Sequence, residues 1–100
     1  MRLSTENLEA IIRLFKQYFP TGKLYLFGSR VNSEKRGGDI DLLCEQDGDP
    51  AQLIEKKIAF LVALDQVIGE QKVDLVIYRP KDNPDSEIAK IAKKTGIKLV

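Results

Sequence analysis

The sequence predicts a single α/β domain, and three observations carry that prediction. Amphipathic runs of helical period alternate with short apolar runs that are too brief for helices and are bounded by glycine or proline. The 100 residues suit one hydrophobic core and leave little for a second domain, so residues 1–100 are read as one unit. Hydrophobic residues at 43% against charged residues at 31% give the balance of a folded domain, not a disordered one.

The first helix begins at Ser4 or Thr5, either of which can cap it. Leu8, Ile11, Ile12, Phe15 and Phe19 recur at spacings of three and four, and Glu6, Glu9, Arg13 and Lys16 point away from them. Pro20 and Gly22 end it. Leu24 to Phe27 reads as a buried strand closed by Gly28. A turn or short helix follows through about Asn32, then a polar loop from Ser33 to Gly38, then a second strand from Asp39 to about Glu45.

Asp49 is placed as the cap of a second helix, with Pro50 as its first residue and Gly69 as its stop. Its apolar surface is broad: Ile54, Ile58, Leu61, Leu64 and Ile68 form one stripe, which Leu53, Phe60 and Val67 widen. Burial deep in the core is the expectation, and contact with a partner subunit is the alternative. Lys72 to Tyr78 is a third strand. Asp85 or Ser86 starts a last helix carrying Ile88, Ile91 and Ala92, which Gly96 ends before a terminal strand from Ile97 to Val100.

Composition excludes several kinds of chemistry. The single Cys44 cannot form an internal disulfide, and the absence of histidine removes His/Cys zinc sites and Ser-His or Cys-His nucleophiles. Any metal must be held by oxygen. A net charge of +1 gives no general nucleic-acid footprint, so no direct nucleic-acid contact is expected. No apolar run approaches the length of a membrane span and no signal-peptide core is seen, so the expectation is a cytoplasmic protein that does not enter the membrane.

The chemistry concentrates between Leu24 and Leu43. Alternation along a strand puts Asp39 and Asp41 on one face, with Cα atoms roughly 6.6 Å apart. Two anions so placed are stabilised by a cation, and oxygen ligation selects a hard one such as Mg²⁺. Asp74 interrupts the apolar third strand. If that strand lies beside the second, Asp74 completes a cluster of three carboxylates. On the other side of the loop, Gly28 lets the backbone approach an anion, Ser29 offers a hydroxyl for phosphate oxygens, and Arg30 can add a charge-assisted contact. Lys35 or Arg36 can close over the ligand from the loop.

Taken singly, a Gly-Ser pair is an ordinary turn, an Asp-x-Asp pair an alternating surface strand, and Asp74 a guard against edge aggregation. The compound pattern is more specific. Phe27-Gly28-Ser29-Arg30, a nine-residue gap after Ser29, Asp39-Ile40-Asp41-Leu42 and the later Val73-Asp74-Leu75 resemble the DNA polymerase beta-like nucleotidyltransferase superfamily. The short length is similar to its minimal nucleotidyltransferases. Gly38 and Ser33 depart from that pattern, standing where relatives often carry a small hydroxyl residue and a glycine.

The resemblance implies a mixed, mostly antiparallel sheet of three to five strands with helices packed on it. It implies that Gly28, Ser29 and Arg30 bind the nucleotide, ATP, and that Asp39, Asp41 and Asp74 are catalytic and hold two Mg²⁺ ions. It further implies an antitoxin that transfers AMP to a tyrosine of a HEPN-type ribonuclease toxin, its partner. Occlusion of the partner without catalysis, transfer to a small hydroxylated metabolite, and assembly as a homo-oligomer stay open.

Overall fold

The computed structural model of the chain describes residues 4–28, 40–69 and 71–100. Helix α1 spans Thr5–Tyr18, and the Ser4 hydroxyl accepts the Asn7 N–H at 3.1 Å, which satisfies one of the amides left free at a helix start. Strand β1 is Lys23–Phe27 and β2 is Ile40–Glu45. Helix α2 is Pro50–Ile68, capped by the Asp49 carboxylate on the Gln52 N–H at 3.0 Å and closed by Gly69 at φ +81°. Strand β3 is Val73–Tyr78, α3 is Glu87–Thr95 with Ser86 as its cap, and β4 is Ile97–Lys98.

The four strands lie in the order β3-β2-β1-β4. β1 runs antiparallel to both β2 and β4, and β2 runs parallel to β3. The parallel pair follows from chain order, because α2 connects β2 to β3 and a helical crossover returns the chain in the same direction. The sheet is therefore mixed and mostly antiparallel, as expected.

One sheet face carries Leu24, Leu26, Ile40, Leu42, Cys44 and Leu75, which form a core with α1 and α2. Phe15 stacks on Phe19 at 5.1 Å between ring centroids, and Phe60 meets both rings edge-on at 6.1 and 6.3 Å. The other face carries Leu43, Val76 and Tyr78 with Tyr25 and Phe27, and α3 covers part of it through Ala89 and Ala92.

One expectation about a helix face is corrected. α2 does not lie deep in the core: Leu53, Phe60 and Leu64 are buried, but Ile54, Ile58, Val62 and Val67 are 52–57% exposed. Both sides of this helix are apolar, so periodicity alone could not say which side meets α1; the bulk of Phe60 decides it. On α3, Ile88 and Ile91 face outward and the alanines face the sheet. α3 approaches closely, since a Cβ on Gly96 would overlap the carbonyl oxygens of Ala92 and Leu26, and Tyr25 and Tyr78 already fill the space beneath it.

Cys44 sits fully buried in β2, and burial pushes its thiol up to about 12 from 9.0. The folded chain therefore holds this proton more tightly than the unfolded chain. The corresponding stability is complete below pH 9 and is lost as pH rises towards 12. We expect a Cys44→Ala variant to show a shallower loss of urea midpoint across that window. We also expect a thiol-specific disulfide reagent at pH 8 to modify wild-type Cys44 only after denaturant is added.

Candidate active site

The site is built where β1 ends and β2 and β3 begin. Gly28 terminates β1 at φ +78°, a left-handed conformation that residues with a Cβ rarely adopt. It is also closely approached: the Asp41 carboxylate occupies the space a Cβ on Gly28 would need. Asp41, half-buried, is the second residue of β2 and the antiparallel partner of Phe27. A glycine at the strand end thus makes room for the acid of the adjacent strand.

Asp41 is also in register with Asp74 on β3. Register partners on neighbouring parallel strands point to the same sheet face, about 4.8 Å apart at the backbone. The register begins with the Ile40 N–H donating to the Lys72 carbonyl at 2.9 Å, immediately before the two acids. Lys72 contributes here through its backbone, which is why no side-chain pattern in the sequence pointed to it. Asp74 is exposed and Asp41 is half-buried, so the pair spans the boundary between solvent and sheet.

The same face is closed at its other end. Glu45 accepts Lys93 from α3, and Lys23 lies 3.6 Å away on its other oxygen. The Lys93 ammonium stands over the rings of Tyr78 and Tyr25 at 5.4 and 5.9 Å. Its hydrogen bond to Glu45, aided by the negative charge there, raises the Lys93 pKa above the ordinary lysine value. Lys93 therefore anchors α3 at the Glu45 end of the face.

Of the residues singled out in the sequence, the structure brings Gly28, Asp41 and Asp74 together. Ser29, Arg30 and Asp39 lie outside the described residues, as do Lys35 and Arg36. Among the described residues no three acidic or sulfur ligands gather. Asp41 and Asp74 alone supply two hard-oxygen donors on one face, a set that fits Mg²⁺, which commonly takes one or two carboxylates and fills the rest of its shell with phosphate and water.

The two roles of Gly28 can be separated. We expect Gly28→Ala to cost about 1–2 kcal/mol from the left-handed backbone, plus a further loss from displacing Asp41. Gly69→Ala is the control, because Gly69 has nearly the same φ of +81° with nothing within 4 Å of the added Cβ. Urea denaturation should show Gly28→Ala as the less stable of the two.

A mixed sheet with a glycine-ended strand beside two in-register carboxylates, flanked by helices, defines a nucleotidyltransferase fold of the polymerase beta-like kind. The nucleotidyltransferase domain family matches residues 8–99. The chain belongs to that family.

Two solved structures resemble it over nearly its whole length. One is a toxin–antitoxin complex with AMP-PNP, with a TM-score of 0.64 and 25% identity over 94% of this chain and 73% of the other. The second is a double Asp-to-Glu mutant of the toxin–antitoxin MntA-HpeT, with a TM-score of 0.62 and 22% identity over 93% and 71%. No curated protein matches the sequence.

Proposed function

We propose that this nucleotidyltransferase moves AMP from ATP to a hydroxyl on a protein partner, with Mg²⁺, and that the partner is a HEPN-type toxin modified on a tyrosine. The observation that carries the reading is the in-register pair Asp41–Asp74 beside Gly28. Support comes from the neighbouring toxin–antitoxin structures, one of which holds an ATP analogue.

In this reading Asp41 and Asp74, joined by Asp39, hold Mg²⁺. Gly28, Ser29 and Arg30 bind the phosphates of ATP, the glycine by letting them approach its backbone. The metal, when bound, lowers the pKa of the acceptor hydroxyl and neutralises charge on the departing pyrophosphate. Asp74, the more exposed acid, takes the acceptor proton or orients the hydroxyl. The acceptor oxygen forms a bond to the α-phosphorus as the bond to the β-phosphate oxygen breaks.

A second reading, neutralisation by occlusion without chemistry, draws on the exposed Ile54, Ile58 and Val62 of α2, which offer a binding stripe independent of the acids. One experiment separates the two. The chain is purified with the product of the adjacent gene, incubated with Mg-ATP, and the partner is weighed. Transfer gives the partner the mass of AMP with wild type and none with Asp74→Ala, although the complex still forms. Occlusion predicts no added mass and full neutralisation by Asp74→Ala.

A further inference from the structure

β3 is the outer strand of the sheet, and it carries one of the two acids of the site. Hydrogen bonding in a parallel ladder alternates, and the bonds at its ends fix the phase here. Ile40 donates to the Lys72 carbonyl at 2.9 Å, and Gln46 donates to the Tyr78 carbonyl at 3.0 Å. Lys72, Asp74, Val76 and Tyr78 therefore turn their backbone groups to β2, and Val73, Leu75 and Ile77 turn theirs to the free edge. Among the described residues, no backbone group pairs with that edge.

The edge is bordered by a hollow on each side, apolar on the α2 side and mixed on the α3 side, and Arg79 lines both. On the α2 side, Ile77 and the 54% exposed Ile54 line a hollow of about 230 Å³. On the α3 side, Val76 and the 40% exposed Ile88 line one of about 320 Å³ together with the polar Asp82, Asn83 and Ser86. Edge strands are ordinarily shielded by charge, proline or a bulge. Apart from Asp74, β3 is uncharged throughout.

We propose that the free edge of β3 is where the acceptor docks, as an extended peptide segment that adds a fifth strand and carries its hydroxyl residue opposite Asp74. This deepens the function proposed above and rests on it for the chemistry. Cross-strand neighbours lie about 4.5–5.5 Å apart at Cβ, so the acceptor residue, Asp74 and Asp41 fall in one row on one face. A tyrosine reaches along that row over Asp74 towards Asp41; a serine stops at Asp74. Two residues along the segment, the next side chain on that face meets the hollow at Val76 and Ile88; the residue between faces the α2 side opposite Leu75, and the one beyond lies opposite Ile77. The acceptor signature is thus a tyrosine within a short run of alternating apolar residues. The hydroxyl oxygen bonds to the α-phosphorus of ATP, pyrophosphate leaves, and the hydroxyl proton passes to Asp74.

The test uses the full chain and the blocked peptide acetyl-Thr-Val-Tyr-Val-Thr-Val-amide at millimolar concentration, with two analogues N-methylated on alternate residues in opposite phase. Amide exchange read by NMR should slow at least 10-fold at Leu75 and Ile77 with the parent peptide and with one analogue only. Ile54→Asp and Ile88→Asp, both at exposed positions, should each reduce that protection. With Mg-ATP the tyrosine should gain one AMP. Protection that is absent, that lies elsewhere, or that is equal for both analogues overturns the docking site. AMP gained without edge protection overturns it as well. Edge protection without AMP gain upholds the docking site and counts against the transfer reading.

Discussion

Asp41→Asn is expected to reduce nucleotidyl transfer by about 10³-fold or more while leaving the fold intact. Charge stabilisation by a catalytic metal is worth several kcal/mol, and each 1.36 kcal/mol is a factor of ten in rate. In the proposed function Asp41 is one of the two described carboxylates that would hold the metal, and the asparagine amide cannot replace its charge. The substitution keeps the side-chain shape against Gly28, where the carboxylate already fills the available space. The urea midpoint should therefore change little, because the amide keeps the packing shape and can still hydrogen-bond. Activity lost with stability kept marks a site residue; both lost together would mark Asp41 as structural.

Phe60→Ala is expected to do the reverse. Phe60 is fully buried and is the α2 side chain that meets Phe15 and Phe19 edge-on. Emptying such a position costs about 3–5 kcal/mol, against a total stability of about 5–15 kcal/mol for an ordinary domain. At this chain length the melting temperature should fall by more than about 12 °C. Below the melting range the surviving folded fraction should retain transfer, because Phe60 lies on the opposite sheet face from Asp41 and Asp74. Ile58→Ala, on the same helix but 57% exposed, should leave the melting temperature nearly unchanged.

The fold was readable where local chemistry speaks in one voice. Asp49-Pro50 and Gly69 bound α2 at the positions expected of a cap, a first-turn proline and a left-handed stop. Ser4 and Ser86 cap the other helices at their starts, and Gly96 ends α3 in extended backbone. Reading failed where two faces of one element were equally apolar. Ile54, Ile58 and Phe60 look alike to a periodicity argument, and only the aromatic cluster with α1 turns Phe60 inward. On α3 the sequence assigned no face, and the tyrosines of the sheet leave room only for the alanines, so Ile88 and Ile91 face outward.

The site was legible because its acids break apolar strands, which makes Asp41 and Asp74 conspicuous. Their meeting was only conditional, since nothing local says that β3 lies beside β2 or in what register. The crossover through α2 makes β3 parallel to β2, and the ladder between them sets the register. The role of Gly28 was half visible: the turn could be read from its neighbours, but the close approach of Asp41 belongs to tertiary packing.

The central claim is that the Asp41–Asp74 end of the sheet transfers a nucleotidyl group. It is tested most directly by supplying Mg²⁺ and ATP labelled on either the α- or the γ-phosphate, together with the product of the adjacent gene. Wild type should place the α-label on that protein and release the γ-label as pyrophosphate, and Asp41→Asn should do neither. Label arriving from the γ-phosphate, or α-label undiminished in Asp41→Asn, would contradict it.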